Sequence, residues 1–564
     1  MNNKKRVIAL LIVSAMLIMA TLSGCDGNGV GGSASGDYVM DEVLNPLGSD
    51  VICKEPVELE ILLSKSDSVI DYDTNAYTVE LERKGNVDIK FNLVNGSDVS
   101  TKVNLTLSSG VDLPDIINWP MDSASISTYG EAGVLVPLNN YYANSSEYLA
   151  PSIEKMKEDT GLDLYKYLTM SDGNIYTIPA YNESLQNEVP SILWINQKWL
   201  DKAGLDVPTT LDEFVVALKA FKAQDMNGNG KKDELPLMDS SSGTMWQVIE
   251  NAFVKTKTSV DITGAEQITI KEDGTLEMAY ATEGYKEFLE FMNGLYKEGL
   301  LDKTIFSQDH ATFKTLLNGD ETRVGVFAWT STSPLTAGTP RRENYEYSPM
   351  FLDNTDKPGY STYVYEQTMP QPYYFITSAC EHPEVAFRIG DYMCSEEMTV
   401  WSRWGIKGTD WLEPTESTVA LFDFMGYPAY LEAILQLGPP QNSHWLGGTP
   451  GFRRTNVSLG MATSDASQVS KSYAIKELYN RYGENFAKDA SDDRIFALVY
   501  TTEELDDIAV LKNAIDGYVA NSRYEFITGV RNLDSDWDAY IKELKGLNLE
   551  RMNEIINEAY DRMK

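Results

Sequence analysis

Residues 224–234 read Q-D-M-N-G-N-G-K-K-D-E, which brings Asp225, Asn227, Asn229, Asp233 and Glu234 together around Gly228 and Gly230. Oxygen-bearing side chains at alternate positions turn inward together when the backbone coils tightly, and glycine accepts the positive φ that such coiling requires. The product is a small pocket of hard oxygen donors, suited to Ca2+. Asp225, Asn227 and Asn229 occupy coil positions one, three and five, and Lys231 offers its carbonyl. Asp233 and Glu234 must complete the shell, because the twelfth position, a bidentate glutamate in an EF-hand, is Pro236 here. No open position for a substrate is implied, so the expected role of the ion is to clamp a loop.

A second pattern lies in the tryptophans. Trp119, Trp246, Trp329, Trp401, Trp404, Trp411 and Trp445 sit mostly in turn-rich, polar surroundings such as I-N-W-P, F-A-W-T-S-T-S and W-S-R-W-G. Aromatic faces in a wet cleft suit the C–H faces of sugar rings, with Asn, Gln and Asp nearby for the hydroxyls. Other chemistry is sparse. His310, His382 and His444 are far apart, with no metal-binding spacing among them. There is no G-x-S-x-G elbow and no Walker lysine loop. The G-x-G-x-x-G at Gly27, Gly29 and Gly32 has no strand before it and no helix after it, so a dinucleotide site is not expected. Two well-placed carboxylates suffice for a glycosidase and 84 acidic residues always contain pairs, but nothing points to an enzyme.

The elements that must position these residues alternate between strand and helix. Val57–Ile61 and Val87–Leu93 show the period-two pattern of half-buried strands, Asp115–Asn118 is a short strand, and Leu193–Asn196 reads as a buried one. In 208–222, Thr210 and Glu213 have capping-box spacing, and Leu211, Phe214, Leu218 and Phe221 form an apolar stripe. Tyr285 to Tyr296 makes a second amphipathic helix, stopped by Gly299. Residues 470–564 are mostly helical in period. The expected class is α/β, and 564 residues call for more than one domain.

The N-terminus sets the compartment. Lys4, Lys5 and Arg6 precede an apolar run and then Leu22-Ser-Gly-Cys25, which looks like a bacterial lipobox. Residues 1–24 are then a lipoprotein signal peptide, Cys25 the lipidated residue, and the Gly/Ser-rich stretch within 25–40 a flexible tether. Removing 1–24 takes the net charge from −37 to −40. So acidic a body argues against nucleic acid and against electrostatic adhesion to anionic lipid, leaving the lipid as the membrane link. Cys53, Cys380 and Cys394 remain, most simply as buried apolar residues, although Cys380 and Cys394 could pair.

An ordered set of stretches carries a resemblance. S-S-G-V-D-L-P-D-I-I (108–117), L-V-P-L-N-N-Y (135–141), G-N-I-Y-T-I-P (173–179), L-W-I-N-Q-K-W-L-D-K-A-G-L-D-V-P-T-T-L-D-E-F (193–214), the 225–234 coil, K-E-G-L-L (297–301), L-N-G-D-E-T-R-V-G-V-F-A-W (317–329) and W-G-I-K-G-T-D-W (404–411) follow in sequence. With the lipobox in front, the chain resembles the carbohydrate-binding lipoproteins of ABC importers, in the LplA-like and alginate-binding group. The resemblance implies a two-lobed, type II periplasmic-binding-protein-like α/β fold. Lobe one would take 41–180 and 350–405, lobe two 181–349 and 406–564, with crossings near Pro179, Met350 and Gly405 and a helical C-terminal part. It implies a non-catalytic, monomeric receptor on the outer face of the cytoplasmic membrane that passes a small oligosaccharide to permease subunits. It also makes the 225–234 coil a structural Ca2+ site away from the ligand.

By the same resemblance Trp329, closing an expected strand, is the foremost sugar-stacking residue, followed by Tyr181 and Trp119, then Trp246 and Trp404. A neutral sugar is the easier expectation at this charge, although Arg323, Arg341, Arg342, Arg403 and Lys407 could make a cleft locally basic. The alternatives are a receptor for a peptide or other polar solute on the same fold, and a surface glycan hydrolase.

Overall fold

A computed structural model describes residues 38–185, 189, 191–241, 243–256, 268–332, 334–336, 339–343, 346–363, 369–435, 439–464, 466–482 and 498–563. The signal segment, Cys25 and most of the tether lie outside them. The chain divides into two compact units, Met1–Val39 and Met40–Lys564. Of the first, only Tyr38 and Val39 are described, in no helix or strand.

The second unit has fifteen named strands among the described residues. They are β1 Val57–Lys65, β2 Val87–Asn95, β3 Ile116–Asn118, β4 Thr177–Asn182 and β5 Ile192–Asn196. Next come β6 Leu235–Leu237, β7 Ile268–Ile270, β8 Leu276–Met278, β9 Val324–Trp329 and β10 Tyr347–Met350. The last are β11 Gln371–Ile376, β12 Trp411–Leu412, β13 Leu431–Ala433, β14 Gly451–Arg453 and β15 Met461–Thr463. They form a six-stranded sheet, β14-β4-β11-β3-β1-β2, a four-stranded sheet, β10-β5-β9-β6, a small β12-β13-β15 sheet and the β7–β8 hairpin.

Each large sheet is a sandwich filling. In β1, Leu59, Ile61 and Leu63 enter one apolar cluster with Tyr77, Leu81 and Ile389, whereas Leu62 enters another with Val103, Ile117 and Phe375. In β5, Leu193 and Ile195 face one way, Ile192 and Trp194 the other. Strands covered on both faces read as continuous apolar runs, and successive side chains alternate between the two cores. The C-terminal helices Thr502–Thr528, Leu533–Gly546 and Leu549–Met563 add their apolar faces to the Leu193 cluster.

The expected elements are present among the described residues, with 483–497 of the helical C-terminal stretch lying outside them, and with one local difference. Thr210 caps the helix Leu211–Ala223 by accepting from the Glu213 N–H at 3.2 Å. The reciprocal arm reaches one residue further back, because Glu213 Oε2 accepts from the Thr209 N–H at 2.8 Å.

One strand in each sheet is reversed, and the reason is the path of the chain. β4 ends at the C-terminal edge of the six-stranded sheet, and β5 starts at the C-terminal edge of the four-stranded one, where Ile192 pairs with Trp329. β10 ends at that second edge, Met350 opposite Leu193, and β11 starts at the first, Gln371 opposite Ala180. A chain arriving at a C-terminal edge must run into the sheet backwards, so β11 and β5 are the antiparallel strands. Both passages thus link C-terminal edge to C-terminal edge. The strand β14, from beyond Gly405, hydrogen-bonds to β4 in the six-stranded sheet.

Candidate functional site

The 225–234 coil folds on itself through its own carboxylates. Asp225 Oδ1 accepts from the N–H groups of Gly228 at 2.8 Å and Asn229 at 3.1 Å, and its Oδ2 accepts from Gly230 at 2.8 Å. Gly228 and Gly230 carry φ of 76° and 79°, the region glycine enters without steric cost. Asn227 Oδ1 and Asn229 Oδ1 each accept from the N–H two residues on. Glu234 Oε1 accepts from Met226 N–H at 2.6 Å, whereas its Oε2 is buried without a hydrogen-bond partner. A buried, unsatisfied carboxylate oxygen is costly, and facing a coil of oxygens it fits a hard cation. Among the described residues no three His, Cys, Asp or Glu side chains converge as ligands. A shell here must therefore draw on Asn227, Asn229 and the Lys231 carbonyl as well.

Two neighbours escape sequence reading because they come from the approach to β9. Glu321 Oε2 accepts from Asn229 Nδ2 at 2.7 Å, and the Arg323 guanidinium lies 3.3 Å from Asp233 Oδ2. Burial raises the Asp233 carboxyl, but hydrogen bonds from Asn229 and Asn227, then Arg323, carry it below the usual carboxylate range.

At the C-terminal edge of the six-stranded sheet, the end of β3 meets Gly448 and the end of β4 meets Arg453 and Ser458. Asn118 Nδ2 donates to Gly448 O at 2.7 Å, while its Oδ1 is buried and unpaired. Asn182 Oδ1 accepts from Arg453 Nε at 2.5 Å and from Ser458 Oγ at 3.1 Å. Arg403, at the end of the helix Glu396–Trp404, and Arg453 set their guanidinium carbons 5.8 and 5.1 Å from a Trp404 ring centroid. A cavity of about 80 Å3 opens between Tyr181, Asn182, Arg403, Thr449 and Arg453. Next to it His444 is fully buried, and burial first, then Arg403, hold its imidazole at about 4 despite the opposing pull of Asp410.

The matching edge of the four-stranded sheet carries Trp329 at the end of β9 and Asp239 just past β6. The Trp329 ring is half-buried, 4.5 Å from the His310 ring centroid and 5.8 Å from Lys314 Nζ. Trp194 Nε1 donates to its carbonyl at 3.1 Å. Asp239 is fully buried and accepts from the N–H groups of Ser240 at 2.7 Å and Met245 at 3.2 Å. Burial outweighs those two bonds and pushes its carboxyl up to about 7.

The other aromatic candidates divide by exposure. Trp119 follows Asn118 and is half-buried. Tyr181 is 3% exposed, tilted against Phe452 at 5.1 Å, with its hydroxyl on Glu183 Oε1. Trp246 is stacked on Phe306 at 5.4 Å, under the Arg523 guanidinium, and Trp404 is 4% exposed. The structure places Tyr181 in the lining of the cavity, Trp404 behind its Arg403 and Arg453, and Trp329 on the other sheet. Of the basic candidates only Arg403 lines the cavity. Arg323 serves Asp233, Arg341 Nη1 donates to Leu317 O, and Lys407 pairs with Glu413. Arg453 was not singled out by the sequence, since nothing local marks it. Cys53, Cys380 and Cys394 are buried and unpaired, so Cys380 and Cys394 form no bridge. Among the described residues no helix is long and apolar enough to cross a membrane.

Comparison with known proteins agrees with this architecture. The chain is 26% identical to the fructooligosaccharide ABC transporter substrate-binding protein FusA of Streptococcus pneumoniae, over 97% of each chain. It is 28% identical to the lipoprotein LipO of Bacillus subtilis over about half of each, 53% of this chain and 52% of that one. Its fold matches the structure of FusA in complex with kestose, TM-score 0.66 at 24% identity, over 90% of this chain and 99% of that one. An EF-hand mutant of FusA matches with TM-score 0.65 at 24% identity, over the same shares. An extracellular solute-binding protein from Bifidobacterium longum subsp. infantis matches with TM-score 0.71 at 20% identity, over 90% and 98%. These type II neighbours bear out the α/β, periplasmic-binding-protein-like expectation, and a family of binding proteins bears out the expectation of a receptor that is not an enzyme. The family model for bacterial extracellular solute-binding proteins covers residues 67–400, more than half of the sequence, and the chain belongs to that family.

Proposed function

We propose that this protein is an extracellular receptor that captures an oligosaccharide between the C-terminal edges of its two large sheets and delivers it to an ABC importer. The observation that carries the reading is topological: both passages between the sheets run from one C-terminal edge to the other. In open α/β sheets that edge is where ligands lie. Each edge here presents a half-buried tryptophan, Trp119 or Trp329, beside amides or carboxylates. Similarity to FusA along nearly the whole chain favours a saccharide over a peptide.

In this reading the lobe boundaries shift from the expected ones: 350–363, which packs in the β5 cores, belongs to lobe two, and 441–453, which packs on β1 and joins β4, belongs to lobe one. Ligand contacts available only when both lobes meet draw the open form toward the closed one. Stacking falls to Trp329 and Trp119. Tyr181, Trp246 and Trp404 support the walls. Asp225, Asn227, Asn229, Lys231, Asp233 and Glu234 hold a structural Ca2+ in lobe two. The buried Glu234 Oε2 supports this assignment, as does the EF-hand noted for FusA. Cys25 carries the lipid, a monomeric body hangs from its tether outside the cytoplasmic membrane, and similarity to LipO favours that placement.

Titration calorimetry against an oligosaccharide panel, with X-ray scattering of the same samples, tests the reading. Binding of at least one oligosaccharide with a smaller radius of gyration and no product formed is expected. Binding of peptides alone, or cleavage of the sugar, overturns it.

A further inference from the structure

We propose that the captured oligosaccharide carries an acidic sugar unit, whose carboxylate docks on the guanidinium of Arg453 in the cavity beside Trp404. The proposal rests on the receptor reading above and names the class of sugar.

Arg453 and Arg454 are neighbours in sequence with opposite surroundings. Arg454 Nε donates to Glu183 Oε2 at 2.8 Å, and its Nη2 lies 3.8 Å from Asp159 Oδ2. Arg453 meets Asn182, the Trp404 ring and a second guanidinium, Arg403, but no carboxylate among the described residues. Its Nε is taken by Asn182, which leaves the two terminal nitrogens. Burial, then Arg403, pull its pKa well below the usual arginine value. A half-buried cation beside a like charge is stabilised most by an anion. The planar fork of a guanidinium matches a carboxylate in two parallel hydrogen bonds and stacks on aromatic faces such as the Trp404 ring, whose centroid is 5.1 Å away.

The place and size of the cavity limit what enters. It sits where β4 and β14 end, on the ligand edge of the six-stranded sheet. Its volume, about 80 Å3, is well below the ~300–1,000 Å3 of a pocket for a whole small molecule. It therefore takes one substituent while the ring remains in the cleft outside. Asn182, held by Arg453 and Ser458, lies on the same edge for ring hydroxyls. A net charge of −37 opposes an anionic ligand at long range, so the attraction must be local, as the Arg453 guanidinium lining this cavity provides.

Calorimetry on the whole protein decides it, with trigalacturonate and 3′-sialyllactose as acidic probes, their neutral counterparts (carboxyl-reduced trigalacturonate and lactose), and inorganic phosphate. One acidic oligosaccharide is expected to bind at least tenfold more tightly than its neutral counterpart. Arg453→Gln should lower the ratio of acidic to neutral affinity at least tenfold, and Arg453→Lys should restore only part of that ratio. The comparison between probes on the unmutated protein stands even where a variant fails to fold. Equal or tighter binding of the neutral sugars overturns the acidic assignment and leaves the receptor reading standing. Binding of phosphate without any acidic sugar, or of no probe at all, overturns it too, and the receptor reading is then judged on the wider oligosaccharide panel alone.

Discussion

The coil at 225–234 and the cavity at Arg453 are two polar sites built in opposite ways. The coil is acidic and continuous in sequence, and its carboxylates are met by N–H groups a few residues away. The cavity is basic, and its walls come from distant segments; Asn182 and Arg453 are 271 residues apart. A local site costs little loop-closure entropy and can form with its own turn, whereas an assembled site exists only once both sheet and helix are in place. Damage to the packing around the cavity should therefore unfold the molecule, whereas damage to the coil should cost only what the ion contributes.

The sharpest break is Trp404→Ala. The indole is 4% exposed and packs with Val400, Leu431 and Met461 beneath the two arginines. Truncation should cost about 3–5 kcal/mol in denaturant unfolding, and ligand affinity should fall with it. A change below about 1 kcal/mol would mean the indole behind the cavity's arginines is not part of the core, and the contrast with the coil would collapse.

Next in size is Asp239→Asn, which tests whether the number of donors decides the state of a buried carboxylate. Asp391, on the helix Pro383–Met393, accepts from Ser146 Oγ and from the N–H groups of Glu147, Tyr148 and Leu149. Burial still raises its pKa. Asp239 has only two backbone donors and is pushed up to about 7. With a folded pKa above the unfolded one, the native state keeps the proton that the unfolded chain gives up. Stability should then decline as pH rises from about 4 to 7, by up to about 4 kcal/mol above that range. The asparagine variant should gain most at pH 8 and little near pH 4, read as midpoint against pH. A parallel shift at every pH would refute the charge as the cause.

How much of this was legible follows from the same distinction. The coil, the capping Thr210 and the alternation of β1 and β2 are local patterns, and each is found where its spacing places it. Arg453 has no such signature, since R-R in G-F-R-R-T says nothing of which arginine meets Glu183 and which faces a cavity. The placement of β14 in the six-stranded sheet was equally hidden, because three residues carry too little periodicity to announce a strand. The aromatic candidates were chosen by polar context, which does not separate a rim tryptophan from one whose neighbours come from elsewhere. Trp246 lies on Phe306, a contact across the fold that its own neighbours in sequence do not reveal.

The coil itself should respond to metal alone. At a free Ca2+ concentration about a hundredfold above Kd, binding to the native state adds about 2.7 kcal/mol. Thermal melts with Ca2+ should therefore lie above melts with chelator. Asp225→Ala, which removes a ligand together with the acceptor for three backbone N–H groups, should abolish the difference. Arg453→Gln should leave it intact, because the two sites share no residue. A Ca2+ shift that survives Asp225→Ala would place the ion elsewhere.

The smallest effect separates a wall from a contact surface. Trp329 is half-buried at the end of β9, with one side against His310 and its carbonyl held by Trp194. Trp329→Ala removes an aromatic face of the kind worth about 1–3 kcal/mol to a stacked ring. Ligand affinity should drop about tenfold while the unfolding midpoint moves little, since the backbone bonds of β9 do not depend on the side chain. Trp246→Ala should do the reverse, lowering stability through the lost Phe306 stack with affinity nearly unchanged in the fraction that remains folded. Were both substitutions to lower stability alone, neither indole would meet the sugar, and the ligand would be held by the polar edge at Asn118, Asn182 and Arg453 without a partner from β9.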